Sequence, residues 1–272
     1  MIADLHEQLA ALHRGWRAGA PLQAAADLRH GRSLPELVRG YELSNAHGEL
    51  LGREDRLAEL YTDGEALTAA LVEGIGALAQ KERQERGLAP LSAATLEQVA
   101  FVDIETTGLH GRPVFLVGAM TCEGGELVVR QYFARDYSEE RALLWHVHEA
   151  LSAASVLVSF NGKAFDVPYL RDRMAYHRLP GEGGHHQVDL LHPCRRRWRR
   201  RLPDCRLQTL ERHLCRRVRT GDIPGHLIPQ RYHEFVHSGD PKLVAPIFHH
   251  NRLDLVAMAE LLVALLDHPE EG

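Results

Sequence analysis

The run Val99-Ala-Phe-Val-Asp-Ile-Glu-Thr-Thr-Gly constrains the fold of this chain more than any other stretch. Its β-branched and aromatic residues read as a buried strand. Side chains alternate along a strand, so Asp103 and Glu105 fall on one face of it. Ionised carboxylates buried without partners cost several kcal/mol each, so such a strand requires a cation beside it, and a bound metal is the simplest source. Thr106-Thr-Gly-Leu then ends the run in a tight turn and leaves an open edge at the two acids. Alone, Asp-x-Glu is a weak sign, because the pair arises by chance on many strands.

The neighbouring segments supply a sheet to hold it. Val114-Phe-Leu-Val-Gly-Ala-Met and Leu127-Val-Val-Arg-Gln-Tyr-Phe are two more short β-rich runs, and three sequential strands predict an antiparallel meander. Ser138-Glu-Glu reads as an N-cap and acidic first turn ahead of a helix reaching Leu151, and Val156-Leu-Val-Ser-Phe supplies a fourth strand. Strands, then a crossover helix, then a strand predict an α/β layer with a mixed sheet. Beyond Asp166 the pattern is mainly helical, with helices expected at 166–177, 206–215, 229–237 and 250–267. Residues 1–92 read as a helical extension, with short helices around Leu5–His13, Leu22–Leu28, Arg56–Tyr61 and Glu65–Gln84, and Leu88-Ala-Pro-Leu-Ser marks the boundary to a domain spanning 93–272.

Two further acids follow in order. Phe160-Asn-Gly-Lys-Ala-Phe-Asp166 leaves the fourth strand through a turn at Asn161-Gly162 and opens a helix, whose N-terminus tolerates the Asp166 charge. A helix-capping role explains Asp166 equally well. In His249-His-Asn-Arg-Leu-Asp254, His250 and Asp254 are four apart and share a helical face, which a surface helix can also carry without chemistry.

Charge is distributed unevenly. From Arg171 to Thr220 there are 14 Arg and 5 acidic residues, a local balance of +9 within a chain of net charge −5, whereas residues 1–100 carry 15 acidic and 10 basic side chains. The basic stretch suits a polyanion. Its densest part, Arg195-Arg-Arg-Trp-Arg-Arg-Arg201, offers Arg195, Arg196, Arg197, Arg199 and Arg200 as phosphate contacts, or simply a solvated helix face. Trp198 either stacks a base or, as large aromatics more often do, anchors the segment in the core. Lys163 is a phosphate contact or a solvated turn residue, Asp189 supports the acidic site or caps a helix, Asp222-Ile-Pro-Gly reads as a structural turn, and His185 and His186 as solvated.

Cys122, Cys194, Cys205 and Cys215 lack close-spaced pairs, so reduced thiols are expected rather than a zinc site with His192. No run approaches the roughly 18 apolar residues of a membrane helix. The start carries Asp4, His6 and Glu7 where a secretory leader needs an apolar core, so a cytoplasmic location is expected.

Asp103-Ile-Glu105, Asn161-Gly-x-x-x-Asp166 and His250-Asn251-x-x-Asp254 in this order resemble the DEDD exonuclease superfamily. More narrowly, with Asp189-Leu-Leu-His, Arg195-Arg-Arg-Trp198, Leu207-Gln-Thr-Leu-Glu211, Asp222-Ile-Pro-Gly225 and Asn45-Ala-His47-Gly48, they resemble the bacterial YprB-type ribonuclease-H-like proteins. The resemblance implies a DnaQ-type, ribonuclease-H-like mixed sheet flanked by helices, with Asp103, Glu105, Asp166 and Asp254 as ligands of two divalent cations, Mg²⁺ or Mn²⁺. It further implies a 3'→5' exonuclease acting on nucleic acid, above all the single-stranded 3' end of DNA, with a place in DNA repair and a DNA helicase as a partner. Thr106 and Asn161 join the nucleic-acid contacts. The base is His250 in the YprB-type spacing and His249 in the spacing of many other superfamily members; His250 is the choice made here. A structure-selective endonuclease, an RNA-trimming enzyme and a non-catalytic helicase partner are the competing expectations.

Overall fold

Seven strands make one mixed sheet: β1 (Tyr41–Asn45), β2 (Gly48–Arg56), β3 (Val99–Thr106), β4 (Val114–Glu123), β5 (Glu126–Phe133), β6 (Val156–Ser159) and β7 (His186–Asp189), in the spatial order β1-β2-β5-β4-β3-β6-β7. They are seen in a computed structural model that describes residues 33–80, 87–108, 111–163, 165–181 and 184–267. The expected meander is present, with β3, β4 and β5 paired antiparallel, and β6 and β7 continue the sheet parallel to β3. Around it lie α1 (Leu34–Val38), α2 (Leu57–Leu60), α3 (Gly64–Ala79), α4 (Glu140–Leu151), α5 (Asp166–Tyr176), α6 (Leu191–Trp198), α7 (Leu207–Leu214), α8 (Ile228–Ser238) and α9 (Ala245–Asp267).

Alternation along β3 sorts the two cores. Val99 and Phe101 pack with α3 and α9, while Ala100, Val102 and Ile104 pack with α4, α5 and α8. Asp103 and Glu105 therefore share the face that looks toward α9. That helix is buried on nearly every side, its polar residues included. Of its residues only Pro246, Asp254 and Asp267 are not buried, so between Ile247 and Leu266 Asp254 is the helix's one opening to the surface.

Several expectations need correction. The front part is not helical throughout: Tyr41–Asn45 and Gly48–Arg56 form a hairpin whose second strand pairs with β5 and extends the sheet. Its sequence hides this, because an edge strand with Tyr41, Glu42 and Ser44 exposed shows no apolar alternation. The anticipated helices around 56–61 and 65–84 correspond to α2 and α3, whereas those at 5–13 and 22–28 lie outside the described residues. The cap before α4 is Asp136, which accepts from Ser138 N at 2.7 Å, rather than Ser138 itself. The chain after Asp166 holds a strand, β7, where only helices and loops were expected; it is too short to show a period, and its pairing with β6 defines it. His186 is exposed there, while His185 is half-buried against the Leu151 carbonyl at 3.1 Å. Lastly, α9 starts at Ala245, so both His249 and His250 sit inside the helix instead of at a frayed end.

Candidate active site

Glu105 and Thr106 flank a register irregularity against β4, so β3 leaves the sheet at the point where its acids stand. Asp103 and Glu105 are half-buried there, and the Thr106 hydroxyl donates to the Gly108 carbonyl of the following turn at 2.8 Å. Burial pushes the Asp103 carboxyl well above its usual range, and the charges of Asp254, Glu105 and Asp166 push it the same way, with His250 opposing. Glu105 is raised likewise, by burial first and then by Asp254, Asp166 and Asp222. Acids drawn from β3, α5 and α9 thus lie within one another's field.

Asp166 is the first residue of α5 and is buried. Burial raises it to about 7, with Asp189 and Asp254 adding to the rise and backbone N–H groups resisting it. The preceding loop is held by Asp189, whose carboxylate accepts the backbone N–H of Asn161 at 2.8 Å, Lys163 at 3.2 Å and Leu191 at 3.0 Å. Asp189 therefore fills both roles open to it, bracing the loop that delivers Asp166 and satisfying the start of α6. Asn161 takes φ of 65° in this turn, and the side chains of Asn161 and Lys163 are exposed beside the acids' loop.

The two neighbouring histidines face different partners. His250 Nδ1 lies 2.7 Å from Asp222 Oδ1, and its Nε2 lies 3.5 Å from Asp254 Oδ2. His249 turns the other way, to the Thr220 carbonyl at 3.2 Å and Arg252 at 3.4 Å. Burial lowers His249, with Arg252 adding to the drop. For His250 burial acts downward too, but the hydrogen bond to Asp222 and the charges of Asp254, Asp222 and Asp103 outweigh it and raise the imidazole. Asp222 is not merely a turn residue: burial favours its neutral form, yet His250 and Arg219 hold it below its ordinary value.

Three more residues were given no role by the sequence. Asn251, fully buried on α9, donates to Asp103 Oδ2 at 2.8 Å and to the Asp103 carbonyl at 3.2 Å, and accepts from Gln131 Nε2 at 2.8 Å. Gly118 sits opposite Asp103 on β4, and a Cβ there would overlap the Asn251 carboxamide. Gln131 pairs with Gly118 in register on β5, so a polar row crosses the sheet beneath Asn251. A lone glutamine inside the apolar β5 run was the available signal; for Gly118 there was none.

The arginine run is not brought to the acids. Arg197 donates to the Leu265 carbonyl at 2.7 Å. Leu265 lies eleven residues beyond Asp254 on α9, about 16 Å along the axis. Arg195, Arg196, Arg199 and Arg200 are exposed at this far end, and Trp198, 2% exposed, is a core anchor and not a base-stacking platform. None of the four cysteines forms a disulfide, and Cys122, Cys194 and Cys215 are buried.

Four carboxylates offer hard oxygen donors of the kind Mg²⁺ and Mn²⁺ prefer. Asp254 Oδ1 is buried and has no hydrogen-bond partner; the Arg219 Nη2 atom at 2.5 Å supplies charge without hydrogen-bond alignment. Among the described residues no three His, Cys, Asp or Glu side chains already form a cage for an ion. The oxygen donor set itself suits a divalent cation. None of the described helices is long and apolar enough to cross a membrane.

A family model described as the RNase_H superfamily matches residues 100–266. The uncharacterized protein YprB of Bacillus subtilis (strain 168) is 34% identical over 170 residues, which are 60% of this chain and 40% of that protein. This chain accordingly spans well under half the length of that relative. Among solved structures, the family B DNA polymerase of the hyperthermophilic archaeon Pyrobaculum calidifontis is similar at a TM-score of 0.47 and 20% identity, over 62% of this chain and 24% of the polymerase.

Proposed function

The chain belongs to the RNase H superfamily, and within it we propose a metal-dependent 3'→5' exonuclease that hydrolyses phosphodiester bonds of nucleic acid, DNA by preference. One observation carries the reading: acids from three separated segments come together, so that the charge of Asp254 adds to the burial that raises the proton affinity of Asp103, Glu105 and Asp166. A cluster so short of positive charge favours a cationic ligand. Asp103, Glu105, Asp166 and Asp254 are the residues that would hold two divalent cations, Mg²⁺ or Mn²⁺. When bound, such cations supply a nucleophile from water and stabilise the leaving oxygen.

The chain's own groups do the rest. His250, turned toward Asp254 by Asp222, takes the proton of the attacking water through Nε2, because Nδ1 is engaged by Asp222. Asn251 holds the Asp103 carboxylate in place. Thr106, Asn161 and Lys163 line the turns beside the acids and would contact the terminal nucleotides. Arg195, Arg196, Arg199 and Arg200 would meet phosphates farther along, since 16 Å is about five steps of a stacked strand at 3.4 Å each; Arg197, tied to α9, fixes that segment's position. A helicase that delivers a single strand and a role in DNA repair fit this polarity of action.

The test uses end-labelled single strands, duplexes and RNA with Mn²⁺, with and without chelator. Stepwise shortening from the 3' end of DNA, abolished by chelator and by Asp103→Asn, is expected. A single internal cut would make the protein an endonuclease, RNA-only shortening a ribonuclease, and chelator-insensitive inertness with retained binding a non-catalytic module.

A further inference from the structure

Arg219 belongs to no catalytic motif, yet its guanidinium is a three-way junction. Nε lies 2.6 Å from Glu211 Oε2, Nη1 lies 3.2 Å from Asp222 Oδ2, and Nη2 lies 2.5 Å from Asp254 Oδ1. Its side chain is 7% exposed. We propose that Arg219 is a positioning residue of the site, orienting Asp254 from one side and, through Asp222, His250 from the other. The activity predicted below rests on the nuclease reading; the geometry does not.

Asp222 is the hinge of the argument, because it divides its two oxygens between Arg219 and the His250 Nδ1 atom. Whatever fixes the guanidinium therefore fixes the carboxylate that selects which imidazole nitrogen faces Asp254. Only a planar fork reaches three acids at once, and a lysine ammonium, a point charge on a flexible stem, cannot. The guanidinium is itself anchored. Glu211 is shared with Arg217 at 3.3 Å, Arg217 pairs with Glu260, and Glu260 accepts the Tyr61 hydroxyl at 2.8 Å. A series of alternating charges thus runs from Glu260 to His250, and the neutral Tyr61 hydroxyl, ahead of the region matched by the family model, ends it.

The experiment compares the full chain with Arg219→Gln, Arg219→Lys, Asp222→Asn and the Arg219→Gln/Asp222→Asn double variant. It reads kcat and KM for Mn²⁺-supported shortening of a labelled single strand, and the Nδ1-proton NMR resonance of His250, assigned by its loss in His250→Gln, in metal-free protein at one pH. Arg219→Gln is expected to lower kcat about 10–100-fold, the scale of residues that orient ligands from behind, with KM within about threefold. Lysine should restore only part of the loss. The double variant should be no worse than its more severe parent, since both act through one unit, and the His250 resonance, absent in Asp222→Asn, should shift in Arg219→Gln. A raised KM with kcat kept, losses that multiply in the double variant, or an unmoved resonance would overturn the proposal. Should the unaltered protein show no hydrolysis, the nuclease reading fails while the resonance still decides the role of Arg219. If Arg219→Gln does not fold, Arg219→Lys and Asp222→Asn carry the same comparison.

Discussion

Two buried groups of charges in this molecule are built alike and end differently. Glu140, on α4, is 1% exposed, and both its oxygens are matched: Oε1 accepts from Val114 N at 2.9 Å and Arg173 Nε at 2.7 Å, and Oε2 from Arg173 Nη2 at 2.5 Å and His177 Nε2 at 2.8 Å. At the end of β3, Asp103, Glu105, Asp166 and Asp254 lie within one another's field, and His250 and one edge of Arg219 pair with Asp254. The first group is complete and ties α4 to α5 and β4; the second is short of cations. A buried carboxylate with every lone pair filled is scaffold, whereas carboxylates that lift one another's pKa mark a place where something positive binds.

Removing an acid from each group separates the two most sharply. Asp103→Asn is expected to cut hydrolysis by about 10³-fold or more, as loss of one member of a catalytic unit does, with a thermal midpoint in chelator unchanged or raised because a like charge is gone. Glu140→Ala should do the reverse, losing about 3–5 kcal/mol of stability by denaturant titration because Arg173 is left buried and unpaired, with kcat of the folded fraction kept. Equal effects on stability from the two variants would erase the distinction.

A pH titration sharpens it. Asp166 has a folded pKa of about 7 against an ordinary 3.8. A carboxyl raised on folding contributes stability below its unfolded pKa and loses that contribution as pH rises through the folded value. In chelator, the gap in unfolding midpoint between wild type and Asp166→Asn should therefore move against wild type from about pH 4 to about pH 7, and Mn²⁺ should close it; a pH-independent gap refutes the shift. The smallest effect belongs to the far end of α9. Arg199→Ala with Arg200→Ala should raise KM several-fold, leave kcat in place and reduce the slope of log affinity against log salt by about one to two. A fall in kcat instead would place those arginines at the reacting phosphate.

What was legible in the sequence follows the same division. Asp103 and Glu105 stood out because acids interrupt an apolar strand, and Asp254 because it lies four residues after His250 ahead of a largely apolar run. Asp222 and Arg219 did not, since their meaning comes from His250 and Asp254, 28 and 35 positions away, and no local pattern reports such a pairing. Strands β1 and β7 failed for a related reason. Their few residues take strand form through pairing with β2 and β6, and not through a period of their own.

Asp254 is the one gap in the otherwise sealed middle of α9. A helix enclosed on every side opens its amides only when the whole domain opens, so hydrogen exchange around residue 254 should run at the slowest rate in the chain. The fourth acid then keeps its place for as long as the protein stays folded, and adjustment to a ligand falls to the Asn161–Lys163 turn, where Asn161 and Lys163 are exposed. On heating, the ability to hold that geometry should vanish at the global melting point and not before it.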